Sequence, residues 1–238
     1  MYQADIAIVG AGMVGLALAR SLKEADLSVI LIDTTPIAKP LSEQPELRVS
    51  AFNAANKQVL EQLGVWQHLD QQRLSAYTQM QVWDQDSFGR IQFSSEEMGT
   101  SELGHIIENQ SLVNALHHQV SQQPNVQMLP STRIAKVLAG QSETMLMLDS
   151  DEVVSCRLLV GADGANSAIR KYANFPLTFK DYGHTAIVAT IKTAAPHGKV
   201  ARQVFTPTGP LALLPLSDPN LCSIVWSQNS QQADELLA

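Results

Sequence analysis

Residues 5–33 read DIAIVGAGMVGLALARSLKEADLSVILID. An apolar run leads into a Gly-x-Gly-x-x-Gly turn, which is followed by a helical segment to about Glu24 and a second apolar run ending on Asp33. Strand, glycine turn, helix, strand and acid in this order are typical of a phosphate-binding βαβ unit. The stretch therefore predicts such a unit at the start of an α/β fold.

The three glycines of the turn have different expected tasks. Gly10 permits the tight turn, Gly12 lets the backbone approach a pyrophosphate, and Gly15 lets the helix pack closely on the strand. At the start of the helix, backbone N–H groups such as those of Met13 and Val14 favour an anion, as does the positive end of the helix dipole. We therefore expect these five residues to bind the diphosphate of a dinucleotide.

Asp33 lies 23 positions after Gly10, near the spacing at which an acid accepts a hydrogen bond from a ribose hydroxyl. An acid at this position disfavours a 2′-phosphate, so NADP is not expected in this site. The alternative is a glycine-rich turn in another kind of α/β domain. The preceding strand, the following helix and the terminal acid together favour the dinucleotide interpretation.

Composition excludes several functional classes. The 238 residues are 45% hydrophobic and 16% charged, which is typical of a globular protein. The net charge of −7 opposes nucleic-acid binding. Two distant cysteines, Cys156 and Cys222, are expected to be reduced core thiols. No signal peptide is expected, and no apolar run of ~18 residues occurs in the sequence. The histidines show no metal-ligand spacing, and no catalytic residue can be named.

Along the rest of the chain, the spacing of apolar residues switches several times between the helical and the strand pattern. Helices are predicted over 53–63 and 110–122, and a hairpin over 79–94 interrupts the α/β pattern. Strands are predicted at 126–129, 132–138, 144–148 and 156–160, with a short helix at 168–172. From Phe179 onward the chain is almost all strand: 185–193, 200–206, 211–216 and 221–227. The hairpin and this last part indicate a second, β-rich domain.

A second strand-to-helix glycine turn, Gly161-Ala162-Asp163-Gly164-Ala165-Asn166-Ser167, lies far from the first. With Ser167 and Arg170 it is similar to the DG motif of the class A FAD-dependent aromatic hydroxylases, and Gly10–Gly15 is similar to their first fingerprint. The segments LRVSAFN (47–53), LGVW (63–66), GHIIEN (104–109) and LALLPLSDP (211–219) narrow the resemblance to the ubiquinone-biosynthesis hydroxylases. It covers essentially the whole chain.

That resemblance implies a Rossmann-like FAD-binding domain with an interleaved β-sheet substrate domain, similar to para-hydroxybenzoate hydroxylase. We expect residues 1–75 and 99–178 to form the first domain and residues 76–98 and 179–238 the second. The family's third fingerprint, GD followed by His-Pro, does not occur. The chain is therefore expected to be a C-terminally truncated fragment that is inactive on its own.

The implied activity is hydroxylation of a polyprenylphenol ring. In such enzymes NAD(P)H meets the flavin transiently and reduces FAD, O₂ adds at flavin C4a, and the hydroperoxide delivers one oxygen atom to the ring. The cofactor carries the hard chemistry and the protein supplies position and water exclusion. A cytoplasmic location is expected, with contact to the inner membrane and to other ubiquinone-biosynthesis proteins left open.

Further cofactor contacts follow from the resemblance. Arg48 is expected at the flavin or its pyrophosphate, against a solvated loop arginine, and Gln110 at the flavin, against an ordinary helix N-terminal residue. Asp163, with Gly164, is expected near the ribityl or pyrophosphate region, although an aspartate that closes its own turn is an alternative. Arg170 is expected to tether that turn.

On the substrate side, Leu211, Leu213 and Pro215 are candidates for the wall of an apolar pocket, with ordinary sheet core as the alternative. Two other functions stay open. The chain could belong to a flavin hydroxylase of a small soluble aromatic, or to a noncatalytic flavin-binding subunit of a biosynthetic complex.

Overall fold

A computed structural model describes residues 1–237. Its strands are β1 (Tyr2–Val9), β2 (Val29–Ile32), β3 (Val49–Asn53), β4 (Ser75–Tyr77), β5 (Gln79–Asp84), β6 (Arg90–Ser94), β7 (Gly104–Glu108), β8 (Val126–Leu129), β9 (Ile134–Ala139), β10 (Thr144–Leu148), β11 (Val153–Gly161), β12 (His184–Lys192), β13 (Val200–Thr206), β14 (Gly209–Pro215) and β15 (Leu221–Asn229). Its helices are α1 (Met13–Ser21), α2 (Ala54–Gln62), α3 (Asn109–Val120), α4 (Ala168–Tyr172) and α5 (Ser230–Leu237), with a 3-10 turn at Trp66–His68.

The chain divides into two compact units. The first contains residues 1–40, 62–68 and 112–178, and the second contains residues 41–61, 69–111 and 179–238.

The first unit is built on a six-stranded sheet in the order β8-β2-β1-β11-β10-β9. The first four of these strands are parallel, and β10 and β9 continue the sheet in antiparallel pairing. All four residues of β2 are buried. That burial agrees with its unbroken apolar sequence, since parallel strands covered on both faces do not alternate polar and apolar residues.

A hydrophobic core is built on this sheet. Its buried members come from the parallel strands and from the antiparallel extension; they are Ala4, Ala7, Ile30, Ile32, Leu146, Leu148, Val154 and Cys156. Burial raises the pKa of the Cys156 thiol, as expected for a structural cysteine. Helix α1 packs on β1 and β2, and α4 packs on β11. These contacts place the start of both helices beside the ends of the parallel strands.

The second unit contains two sheets. One has six strands in the order β12-β15-β14-β13-β5-β6, and the other has three in the order β3-β7-β4. Their shared core includes the buried residues Tyr77, Ile106, Ala201 and Leu216. The hairpin expected over 79–94 is present as β5 and β6.

The three-stranded sheet was not predicted from the sequence. Strands β3 and β4 both pair with β7, and residues 41–61, 69–75 and 99–111 therefore group with the second unit. From the sequence, these segments are assigned to the FAD-binding domain, and that functional assignment stays a prediction. Ile106 of β7 and Tyr77 of β4 share a buried cluster with Ala201 of the large sheet. Side chains that share a core belong to one compact unit, which is why these segments group with the large sheet. Which unit serves which function stays a prediction.

Two smaller observations complete the fold. Helix α1 ends at Ser21 rather than at about Glu24. Among residues 1–237, every helix falls short of the length and apolar character needed to cross a membrane.

Candidate cofactor site

A cavity of about 550 Å³ lies at the carboxyl ends of β1, β2 and β11 in the first unit. Its walls come from both glycine turns and from the segment before β9; they are Val9, Gly10, Gly12, Ile32, Asp33, Thr34, Thr132, Arg133, Ile134, Ala162, Asp163, Gly164, Ala168, Ile169 and Tyr172. The structure therefore brings Gly12 and Asp163 together at one cavity. In open α/β sheets, ligands bind outside the carboxyl ends of the strands.

Backbone hydrogen bonds join the two turns. The N–H of Gly10 donates to the carbonyl of Ile32 over 2.8 Å, and the N–H of Ala162 donates to the carbonyl of Val9 over 2.7 Å. A Cβ on Gly10 would lie 2.3 Å from the carbonyl oxygen of Ala162, and a Cβ on Gly15 would lie 1.8 Å from the carbonyl oxygen of Gly10. Both glycines are therefore required by the packing of the protein itself.

Gly12 differs from these two glycines. It is the N-cap of α1, with φ −75° and ψ −173°, a conformation open to any residue. A Cβ built on Gly12 meets nothing within 4 Å. The folded protein alone therefore has no need of glycine at this position. A ligand that comes close to the backbone would supply the need, so the turn fits the diphosphate of a dinucleotide.

Helix α1 offers donors at the same place. The first N–H groups of a helix have no intrahelical partner, and Gly12 makes no side-chain cap. Met13 and Val14 are the first two residues of α1, and the side chain of Val14 is 72% exposed. Exposed, uncapped N–H groups at the positive end of a helix suit an anion.

Asp33 has a structural task that the sequence did not reveal. Its Oδ2 accepts from the N–H of Ala11 over 2.7 Å, and its Oδ1 accepts from the N–H and the hydroxyl of Thr35 over 2.8 and 2.9 Å. The acid thus fixes the glycine turn. A carboxylate offers about four acceptor positions, so room for one more donor remains.

Asp163 closes its own turn, as the alternative interpretation described. Its carboxylate accepts from the hydroxyl of Ser167 and, over 2.6 Å, from the N–H of Ala168. The Ser167 hydroxyl oxygen accepts from the N–H of Arg170 over 3.0 Å and caps α4. Arg170 lines a second cavity of about 630 Å³, together with Arg157 and Leu158 of β11.

Arg48 and Gln110 lie in the second unit. Arg48 is exposed and directly precedes β3, and its carbonyl accepts from the N–H of Asn109 over 3.0 Å. Gln110 is half-buried at the second position of α3. The structure thus brings these two residues close to each other along the backbone.

Leu211, Leu213 and Pro215 alternate along β14 and therefore share one face of the large sheet. Leu211, Leu213 and Leu214 are all half-buried and Pro215 is buried, and Leu214, on the opposite face, also packs against the core that contains Ile106. The assignment of Leu211, Leu213 and Pro215 to a substrate wall stays a prediction.

A family model described as "FAD binding domain" matches residues 3–235. The chain belongs to this FAD binding domain family. Ubiquinone biosynthesis monooxygenase COQ6 of Drosophila melanogaster is 35% identical over 246 residues, covering 98% of the chain and 51% of that protein. The 3-demethoxyubiquinol 3-hydroxylase of Escherichia coli is 32% identical over 233 residues, covering 98% of the chain and 59% of that protein. The resemblance to ubiquinone-biosynthesis hydroxylases is confirmed.

Solved structures agree on the fold. PqsL of Pseudomonas aeruginosa, in complex with 2-aminobenzoylacetate, has a TM-score of 0.82 at 19% identity and covers 98% of the chain and 63% of its own. The p-nitrophenol 4-monooxygenase PnpA of Pseudomonas putida has a TM-score of 0.79 at 14% identity, and the match covers 100% of this chain and 62% of PnpA. The predicted α/β fold class of this FAD binding domain is confirmed. The chain spans between about half and three-fifths of the length of the two curated relatives.

Sequence reasoning missed Arg133, Thr132 and Thr34 as cavity residues. Arg133 lies in the loop before β9 and is exposed at the cavity wall. Loop residues of this kind carry no fixed spacing from the glycine fingerprint, so no sequence signal marks them. Among residues 1–237 no cluster of three or more His, Cys, Asp or Glu side chains is placed to hold a metal ion.

Proposed function

We propose that this chain is the FAD-binding part of a monooxygenase that hydroxylates the ring of a polyprenylphenol in ubiquinone biosynthesis. The observation that carries the proposal is the meeting of Gly12 and Asp163 at one cavity, because two turns far apart in sequence are then available to one elongated ligand. Membership of the FAD binding domain family and the printed names of the two curated relatives support it.

The glycine turn would hold the diphosphate of FAD. In this proposal the N–H groups of Gly12, Met13, Val14 and Gly15 donate to diphosphate oxygens, because they lie at the uncapped start of α1. Gly10 acts by keeping the turn tight against β11.

Acidic and basic groups would orient the rest of the cofactor. Asp33 accepts from a ribose hydroxyl with the acceptor position that its three present bonds leave. Asp163 and Gly164 approach the ribityl or diphosphate region, and Arg133 adds positive charge at the cavity wall. Arg48 and Gln110 are proposed flavin contacts, with Gln110 bonding as a neutral group.

When bound, FAD would accept electrons from NAD(P)H and, with O₂, supply the oxygen atom that enters the ring. This chain's residues contribute binding, orientation and exclusion of water. NAD(P)H is proposed as a transient reductant without a second nucleotide site. Leu211, Leu213 and Pro215 would contact the apolar substrate. Because a polyprenylphenol partitions into lipid, we also propose a cytoplasmic protein that meets the inner membrane peripherally.

Replacing Gly12 with alanine separates cofactor binding from folding. The new Cβ meets no protein atom within 4 Å, so the free energy of unfolding should change by less than about 0.5 kcal/mol. The same Cβ would enter the space of the diphosphate and weaken FAD binding by about tenfold or more, a change of ~1.4 kcal/mol.

This prediction is measured by titrating FAD into the original chain and the variant and following flavin fluorescence, with urea unfolding as the stability readout. A control for FAD affinity is Gly99→Ser, at a loop glycine of the second unit where a Cβ also meets nothing within 4 Å; because its φ is +65°, a side chain there costs stability, so this variant is compared on FAD affinity alone. Its FAD affinity should equal that of the unsubstituted chain. Equal FAD affinity for Gly12→Ala would contradict the proposed site.

The reaction itself is tested with the FAD-loaded full-length protein, NAD(P)H and 2-prenylphenol, because this chain spans only 51% and 59% of its two curated relatives. We expect the phenol to stimulate NAD(P)H-dependent O₂ uptake and the product to gain the mass of one oxygen atom. FAD binding without NAD(P)H oxidation would instead indicate a noncatalytic flavin-binding subunit. Faster turnover with a small aromatic carboxylate would assign the enzyme to soluble substrates.

A further inference from the structure

A separate cavity of about 360 Å³ lies in the second unit, where α5 packs against β12 and β15. Its lining residues come from the β13–β14 turn, from β15 and from α5; they are Thr208, Trp226, Gln228, Gln232, Glu235 and Leu236. The volume falls within the range of small-molecule sites, which is about 300–1,000 Å³.

Two residues that line this cavity each carry a buried polar atom with no hydrogen-bond partner within residues 1–237. The atoms are Nε1 of Trp226 and Oε1 of Gln228, and Gln228 as a whole is only 3% exposed. Nearby amides are engaged elsewhere: Nδ2 of Asn229 donates to Oε1 of Gln232 over 3.2 Å. Buried polar atoms in folded proteins are almost always bonded, so the pair indicates a missing ligand.

The chemistry of the two atoms limits what that ligand can be. An indole N–H only donates and an amide oxygen only accepts. A single group that serves both must accept one hydrogen bond and donate another, as a hydroxyl does. A carboxylate would leave Gln228 without a donor and would face Glu235, and an ammonium group would leave Trp226 without an acceptor.

The surroundings favour a hydroxyl on an apolar body. Trp226 and Gln228 are two positions apart on β15 and therefore project from the same face of the sheet. On the neighbouring strand Leu211 pairs with Trp226, and Leu213 pairs with Ile224. The polar pair thus lies at one end of the half-buried apolar face that carries the predicted substrate residues.

We propose that this cavity binds the phenolic hydroxyl of an aromatic substrate, with Trp226 Nε1 donating to the phenol oxygen and the phenol O–H donating to Gln228 Oε1. The aromatic class of the ligand rests on the proposed function, whereas the hydroxyl rests on the two unpartnered atoms. The apolar tail of the substrate then runs along the Leu211–Leu213 face.

The test uses the 238-residue chain labelled with ¹⁵N and needs neither FAD nor turnover. The three indole N–H resonances of the chain are assigned with Trp→Phe variants and followed during titration with 2-prenylphenol. We expect the Trp226 resonance to move downfield saturably, since its N–H gains an acceptor. The O-methyl ether of the same phenol cannot donate to Gln228 and should bind about tenfold more weakly.

Two variants sharpen the result. Gln228→Met removes the acceptor at similar size and should abolish the preference for the phenol over its ether. Trp83→Phe changes a tryptophan elsewhere in the same sheet, on β5, and should leave that preference intact. Unmoved Trp66 and Trp83 resonances in Gln228→Met show that the variant is folded.

The proposal is overturned if the chemical shift of the Trp226 indole N–H does not change when the phenol is added. Water alone would then satisfy Trp226 Nε1 and Gln228 Oε1. Equal binding of the phenol and its ether would also overturn it, since only an acceptor would then be needed. If the FAD-loaded full-length protein hydroxylates 2-prenylphenol while Trp226 of the 238-residue chain does not respond, the proposed function stands and only this inference fails. A saturable Trp226 response without any hydroxylation supports the site and counts against the proposed function alone.

Discussion

Replacing Gly15 with alanine should destabilise the first unit by about 3 kcal/mol or more, a large share of the ~5–15 kcal/mol that holds a typical domain folded. A Cβ at this position would lie 1.8 Å from the carbonyl oxygen of Gly10 and 3.4 Å from Cβ of Ala162. Both contacts involve atoms fixed to the backbone, so no rotamer change can relieve them. Helix α1 would have to move away from the end of β1.

Helix propensity predicts that the same substitution stabilises the protein instead of destabilising it. Alanine is favoured over glycine inside a helix by about 1 kcal/mol, so a purely local view of α1 expects Gly15→Ala to stabilise the chain. Urea unfolding followed by circular dichroism distinguishes the two outcomes. Gly12→Ala is the matched control, since it adds the same methyl group three residues earlier in open space. An unchanged unfolding midpoint for Gly15→Ala would disprove the close packing of helix and turn.

The second large effect is expected at Arg73 in the second unit. Its guanidinium forms a bidentate ion pair with the carboxylate of Glu108: Nε donates to Oε1 over 3.0 Å and Nη2 donates to Oε2 over 2.5 Å. The two side chains are only 17% and 5% exposed. The hydrogen bond with Glu108 is also the main cause that raises the pKa of Arg73. Arg73 further donates to the carbonyls of Ser42 and Gln44 over 2.7 and 3.0 Å.

Arg73→Ala should therefore lower the free energy of unfolding by about 3–5 kcal/mol, because the carboxylate of Glu108 is left buried without its partner. Arg90→Ala, at an exposed arginine of the same unit, is the control and should change stability by less than about 0.5 kcal/mol. The double variant Arg73→Met/Glu108→Met should lose less than Arg73→Ala, since it removes both charges. A double variant as unstable as Arg73→Ala would show that lost packing, and not the unpaired charge, dominates.

These two predictions concern contacts that the sequence could reveal only in part. The glycine fingerprint predicted β1, α1 and β2 because its spacing follows from local backbone geometry, and Gly15 was assigned to close packing for the same reason. The pair between Arg73 and Glu108 joins residues 35 positions apart. Neither residue lies in a motif, so the pairing becomes visible only when β7 and the loop around Ser42 are in place.

The two acids of the candidate site show the same division between what the sequence predicts and what only the structure reveals. Asp33 is predicted as a site residue from its spacing after Gly10 at the end of the second apolar run, and Asp163 from the resemblance of its own turn to the DG motif. Their hydrogen bonds to Ala11 and Ala168, which make each acid part of its own turn, depend on backbone directions that no residue pattern records. The sheet of β3, β7 and β4 was missed because its strands are short and separated in the chain.

By itself the sequence determined the βαβ start, the second glycine turn and the hairpin, since each depends on residue types at local spacing, and the resemblance of its motifs to known hydroxylases indicated the family. Only the tertiary structure decided that Gly12 and Asp163 reach one cavity, that Arg133 joins them, and that Trp226 and Gln228 are buried without partners. The physical reason is that a strand fixes the faces of its own side chains, whereas the partner across a sheet or cavity is chosen by packing of distant segments.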